Sequence, residues 1–151
     1  MTARYVIRPA RPADLEPLLA LERSAFNTDH LSRRQYRHHI GSDSAAVLVA
    51  AGDDGVLGKA VVFFNARHGI ARLYSIAVSA QARGLGLGAV LLAAAEKAAR
   101  KRGRRRMRLE VSQTNPGAIG LYESRGYRRI GERWHYYENG EHAWRYEKAL
   151  D

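Results

Sequence analysis

The chain has 151 residues and no cysteine, which bounds it to about one domain and excludes a disulfide framework and thiolate chemistry. Hydrophobic residues make up 46% and charged residues 26%, the balance of an ordinary folded domain rather than a disordered or fibrous chain. Twenty-five Lys+Arg stand against 15 Asp+Glu, a net charge of +10, which suits acidic partners such as nucleotides, RNA, acidic protein segments or a ribosome, unless arginine is simply a generic surface cation here.

In chain order, "RYVIR" (4–8) reads as a first strand. Leu15, Leu18, Leu19 and Glu22 fall at helical spacing after Pro12. Ser32 and Gln35 form a capping-box pattern that opens a second helix, and Gly41 is placed to end it. "AAVLVAAG" (45–52) and "VLGKAVVFFN" (56–65) are strands around the turn signal Asp53-Asp54-Gly55, and "ARLYSIAV" (71–78) is a third. A glycine-rich loop then runs into a helix that reaches about Arg102. "RMRLEV" (106–111) is a strand, and Pro116 to Arg125 is a helix stopped by Gly126. The tail predicts a hairpin with a type I′ turn at Asn139-Gly140, with Trp134 and Trp144 placed to face each other across it. The predicted order βααβββαβαββ implies one domain over 1–151, a mixed sheet with helices on both faces. No apolar run is long enough to span a membrane and the N-terminus has no apolar leader core, so a cytoplasmic protein is expected.

Three glycines within five residues, Gly84, Gly86 and Gly88, stand where a strand turns into a helix. A helix mouth presents unpaired N–H groups and partial positive charge, and glycines let a backbone approach an anion closely. A phosphate cradle and a tight strand–helix turn fit this loop equally well. A P-loop fits poorly, because Gly88 is followed by Ala89 and Val90 rather than Lys-Ser/Thr. A Rossmann turn fits poorly, because the loop is not the first βα turn and Glu110 lies inside the next strand rather than at its end.

A second constellation, "LEVSQTNPGAIGLYESRGY" (109–127), places Glu110 on a strand, Asn115 at a helix mouth and Tyr122 on that helix. With it, the sequence resembles the GNAT superfamily of acetyl-CoA-dependent N-acetyltransferases. Arg83-Gly84-Leu85-Gly86-Leu87-Gly88 is similar to that family's Arg/Gln-x-x-Gly-x-Gly/Ala cofactor loop, and Gln81 begins an overlapping match. "YSIAV" (74–78) resembles its pantetheine-binding strand. Asn115, Ala118, Leu121, Tyr122, Gly126 and Tyr127 match its Asn-x-x-Ala-x-x-Leu-Tyr-x-x-x-Gly-Phe/Tyr signature. The resemblance is strongest to bacterial enzymes that acetylate the N-terminal alanine of a ribosomal protein. Their Phe-Pro-Trp-Ser segment is replaced here by Phe26-Asn-Thr-Asp-His-Leu-Ser32, so the preferred first residue need not be alanine.

The resemblance implies a mostly antiparallel sheet of about seven strands, with a splayed parallel pair holding acetyl-CoA. It implies that Ile76, Ala77 and Val78 bind the pantetheine arm, that Arg83, Gly84, Leu85, Gly86, Leu87, Gly88 and Ala89 bind the pyrophosphate, and that Asn115 binds near the thiol. Glu110 becomes the general base and Tyr122 the acid toward the departing thiolate. Phe26, Tyr136 and Tyr137 become acceptor contacts. Read from the residues alone, Glu110 is equally a strand glutamate paired with Arg108, Asn115 a plain N-cap, and Tyr122 a packed helix tyrosine. The six histidines show no metal-ligand spacing, and no metal is expected.

The expected acceptor is a protein or peptide N-terminal α-amine, attacked directly in a ternary complex. An α-amine with pKa near ~8 is about a tenth neutral at pH 7, whereas lysine near ~10.4 is neutral in under one molecule in ~1,000. One carboxylate serves the first more readily. The alternatives are a small-molecule or lysine acetyltransferase and a non-catalytic basic module that binds RNA or the ribosome. The seven basic residues of "ARKRGRRRMR" (99–108) should lie at the far end of the domain from the glycine loop, as a solvated face or as a docking surface for RNA or an acidic partner.

Overall fold

The computed structural model describes residues 4–25, 30–64 and 69–151. Its elements follow the predicted order: β1 (Tyr5–Pro9), α1 (Leu15–Ala25), α2 (Arg33–His39), β2 (Ala45–Gly52), β3 (Gly55–Phe64), β4 (Ile70–Val78), α3 (Leu87–Lys101), β5 (Arg106–Ser112), α4 (Pro116–Ser124), β6 (Arg128–Arg133) and β7 (Ala143–Ala149). The strands form one seven-stranded sheet in the order β1-β2-β3-β4-β5-β7-β6. All neighbours are antiparallel except β4 and β5. A parallel pair needs a long crossover, and the glycine loop with α3 supplies it.

The apolar periodicity sets which helix covers which face. α1 and α2 close one face around Leu18, Tyr36, Val49 and Val61. α3 and α4 close the other around Leu73, Leu91, Met107 and Tyr146. α2 starts where the capping box predicts: Ser32 Oγ accepts the Gln35 N–H at 3.1 Å, and the Gln35 side chain accepts the Ser32 N–H at 2.8 Å. No described helix is long and apolar enough to cross a membrane.

Asp14, in the 3-10 turn before α1, ties that turn to β1. Its carboxylate accepts two bonds from the Arg8 guanidinium, at 2.7 and 3.0 Å, and the Arg11 N–H at 2.8 Å. The Arg8 bond, ahead of the backbone bond, holds the Asp14 carboxyl below the ordinary range. A depressed carboxyl pKa stabilises the fold above the unfolded-state value and loses that contribution as pH falls through the folded value. Asp14→Asn should therefore cost roughly 1 kcal/mol at neutral pH, with the gap to wild type closing below about pH 4. Urea unfolding at several pH values checks this.

The tail departs from its prediction. β6 and β7 pair, but they are joined by residues 134–142 rather than by a two-residue turn. Asn139-Gly140 sits at the tip of that longer connection. There the Gly140 N–H bonds to the Tyr137 carbonyl at 2.9 Å, and the Tyr137 N–H to the Glu141 carbonyl at 3.2 Å. A type I′ turn needs positive φ at both central residues; Gly140 has φ 85°, whereas His135 is the only non-glycine with positive φ among the described residues. The loop is closed from within instead, because the His135 N–H donates to His142 Nδ1 at 2.8 Å. The two tryptophans do not meet. Trp134 is 67% exposed and lies against the His142 ring, while Trp144 carries the Arg129 guanidinium 3.8 Å from its ring centre.

Candidate active site

β4 and β5 are partners only from Ile70–Arg106 to Leu73–Leu109. Beyond that point each strand continues without the other. The cause is visible in the β3–β4 register, which runs Val61↔Ser75 and then Val62↔Leu73, leaving Tyr74 as an extra residue in β4. A bulge bends its strand, and this one turns the end of β4 away from β5.

The opened wedge leads into a cleft of about 370 Å³ lined on its β4 side by Arg72, Tyr74, Ser75 and Ile76. Glu110 and Val111 of β5 form another wall, with Asn115, Ala118 and Tyr122 from the start of α4. Tyr136, Tyr137 and Glu141 approach from the β6–β7 connection. Thus Ile76, Glu110, Asn115, Tyr122, Tyr136 and Tyr137, all singled out in the sequence, share one cleft. Ala77 and Val78 lie on the same splayed strand but do not line it, and Phe26 falls outside the described residues.

The glycine loop follows β4 at the open end of the wedge. Gly84 and Gly86 have φ of 83° and 73°, and a Cβ built on either would meet nothing within 4 Å. These two residues are therefore glycines for conformation and for open space above the backbone, not for packing. Gly88 differs: it is inside α3, where a Cβ would come 3.4 Å from Leu121 of α4. Gly86 caps α3, and the Val90 N–H is bonded to its carbonyl at 3.3 Å. The N–H groups of Leu87, Gly88 and Ala89 precede that bond and have no partner within the helix. Such a mouth, with exposed Arg83 and Leu85 in front of it, fits a pyrophosphate.

Glu110 has a side chain only 11% exposed. Its carboxylate lies 3.3 Å from Arg72 Nε and 3.9 Å from Arg133 Nε. Arg108, the partner considered from sequence, instead donates to Glu147 at 2.6 Å. The same arginine Arg72 also donates to the Tyr136 hydroxyl, so one guanidinium bridges base candidate and acceptor wall. Tyr122 is buried, with its ring edge-on to Tyr127 at 5.8 Å between centres. Burial pushes its phenol pKa up. Asn115 Oδ1 caps α4 by accepting the Ala118 N–H at 3.1 Å, which leaves the amide nitrogen to other partners.

A sequence model of the acetyltransferase (GNAT) family matches residues 14–127, a span that holds the glycine loop, Glu110 and Tyr122. The chain belongs to this family. A Bacillus subtilis protein assigned as a candidate ribosomal protein bS18-alanine N-acetyltransferase is 28% identical over 144 residues, covering 95% of this chain and 94% of its own. A Sulfurisphaera tokodaii N-alpha-acetyltransferase is 31% identical over 151 residues, covering 93% and 90%. The crystal structure of a Brucella melitensis ribosomal-protein-alanine N-acetyltransferase superposes with a TM-score of 0.83 at 27% identity, covering 96% of this chain and 99% of that one.

Other residues of the acetyltransferase's cleft escaped sequence reasoning. Glu22 occupies a core-facing position of α1, is 1% exposed, and still lines the cleft. It accepts the Leu31 N–H at 3.1 Å and bonds to the Tyr36 hydroxyl and to Lys59 Nζ, which also donates to Ser75 Oγ at 3.1 Å. Burial lowers the Lys59 pKa, and the Glu22 charge opposes that shift. The available signal was a lysine inside the apolar run "VLGKAVVFF" and a glutamate at apolar helical spacing. Glu141 is held in the cleft by Ser112 and Thr114 hydroxyls, at 2.9 and 3.1 Å.

Proposed function

We propose that the protein transfers an acetyl group from acetyl-CoA to the N-terminal α-amine of a protein or peptide. The observation that carries this reading is the convergence of Glu110, Tyr122 and Asn115 on the wedge where β4 leaves β5, opposite an acceptor wall of tyrosines. A relative named as an N-alpha-acetyltransferase and one named as a candidate ribosomal protein bS18-alanine N-acetyltransferase support it.

Acetyl-CoA supplies the activated acyl group as a thioester. Backbone groups of Ile76, Ala77 and Val78, no longer engaged by β5, orient the arm and polarise the acyl carbonyl. The residues Arg83 to Ala89 hold the pyrophosphate, and the Asn115 amide steadies the thiol end. Glu110 takes one proton from the acceptor ammonium, directly or through one water, and the neutral amine that results attacks the acyl carbon. Tyr122, its phenol pushed up by burial, keeps its proton and donates a hydrogen bond to the leaving sulfur. The C–N bond forms and the C–S bond breaks, and the proton still carried by the new amide nitrogen passes through solvent to the departing thiolate.

Substrate choice follows from the proton that must leave. Freeing an α-amine at pH 7 costs roughly 1 kcal/mol, and freeing a lysine about 4–5 kcal/mol. On a peptide with both groups, the N-terminus should be acetylated first. Mass spectrometry of the products decides the matter; lysine modified first, or reaction confined to free small amines, removes the N-terminal reading.

The pyrophosphate assignment has its own test. Gly86→Val puts a β-branched residue at positive φ and fills the open space at the mouth of α3. Acetyl-CoA affinity should fall at least about tenfold while the fold is kept. Calorimetry showing undiminished affinity in a folded variant would place the pyrophosphate elsewhere.

A further inference from the structure

α1 rests on β3 and β4, and α2 on β2, and a second hollow, of about 630 Å³, over β5 and its neighbours is lined, among the described residues, by none that comes from a helix. It shares Arg72, Glu110 and Tyr136 with the reaction cleft. Arg108, Arg133 and Arg145 complete its charged lining. Alternation along the strands explains the crowding: Met107, Leu109 and Val111 of β5 point into the α3/α4 core, so Arg108 and Glu110 point the other way.

Among the described residues, four guanidiniums thus line the hollow against one lining carboxylate, Glu110. Arg72 and Arg133 both lean on that carboxylate, and Arg108 reaches sideways to Glu147. Arg145 has no carboxylate partner among the described residues. Guanidiniums in such excess repel one another, and a carboxylate that enters bidentately relieves that repulsion.

We infer that this arginine-lined groove receives the acceptor chain beyond its reacting amine, and that it selects peptides carrying Asp or Glu just after the first residue. The inference rests on the α-amine reading above. Continuity with Glu110 favours a peptide over a nucleic acid. An amine at Glu110 belongs to a chain whose next residues, spaced about 3.3 Å apart, must leave the cleft by some route. The route that shares Arg72, Glu110 and Tyr136 with the cleft is the arginine groove. Basic residues at the same positions meet like charge and are rejected.

The test is kinetic, on the full chain with acetyl-CoA and three lysine-free peptides that differ only at positions two and three: Glu-Glu, Ser-Ser and Arg-Arg. Glu-Glu should exceed Ser-Ser in kcat/KM by roughly tenfold, with Arg-Arg below Ser-Ser by a similar factor. The spread should shrink at about 0.5 M salt. Arg145→Glu should lower the Glu-Glu to Ser-Ser ratio at least about tenfold, chiefly through KM. Equal rates on the three peptides, or preference for Arg-Arg, overturn the groove assignment and leave the α-amine reading standing. An unchanged ratio in a folded Arg145→Glu protein overturns it as well. So does competitive inhibition by a short single-stranded RNA combined with indifference to peptide charge, which hands the groove to nucleic acid. Acetylation of none of the peptides removes the α-amine reading and this inference together.

Discussion

Glu110→Gln should lower kcat/KM by roughly 10²–10⁴-fold at neutral pH, the span associated with a positioned general base. That is about 3–5 kcal/mol of transition-state stabilisation. Glutamine keeps the shape of the side chain and a carbonyl oxygen for Arg72, so the cleft stays formed. It loses the ability to take a proton. The Arg72 and Arg133 side chains are 41% and 51% exposed, and ion pairs of that kind contribute little to stability. Thermal unfolding should therefore barely move, which separates a chemical effect from a folding effect.

The pH profile carries the sharper readout. As pH rises toward the amine's own pKa, an increasing share of acceptor is already neutral and the base matters less. The deficit of Glu110→Gln should shrink accordingly. A variant with a wild-type profile at every pH would return Glu110 to the role of a structural partner for Arg72 and leave water or a backbone group as the base.

The fold was largely legible because its signals are local. Apolar spacing in "ARLYSIAV" and "RMRLEV", the Ser32/Gln35 capping box and the glycines before α3 each act within a few residues, and each is where the sequence puts it. The tail was misread for the same reason. Asn139-Gly140 signals a turn correctly, yet the register of β6 on β7 is set by partners distant in sequence, Glu132 beside Trp144 and Gly131 beside Arg145. Family motifs located Glu110, Asn115 and Tyr122 but gave no hint of Arg72, whose importance arises only when β4 and β5 lie side by side and Tyr136 folds over both. Lys59 and Glu22 are 37 residues apart. No window of sequence pairs them; each looks like an isolated violation of an apolar pattern until the sheet packs on α1.

That pair carries the largest expected effect on stability. Lys59→Ala should cost roughly 3–5 kcal/mol, because it leaves the Glu22 carboxylate buried without its cation. A domain of this size is stable by only about 5–15 kcal/mol, so the variant sits near the edge of unfolding at 37 °C. The Leu31 N–H and the Tyr36 hydroxyl would still bond to Glu22, but neither supplies a full positive charge. Since Glu22 lines the cleft and bonds to the Leu31 N–H just before α2, the loss should also loosen that side of the cleft and raise KM. Pairing the change with Glu22→Leu, as Lys59→Met with Glu22→Leu, removes both charges and should recover part of the stability, the rest being held back by the Leu31 N–H and Tyr36 hydroxyl that lose their acceptor. Urea denaturation of the single and double variants reads this out. If Lys59→Ala unfolds within about 1 kcal/mol of wild type, the buried ammonium contributes no more than a surface pair does, and water must reach Glu22 from the cleft side.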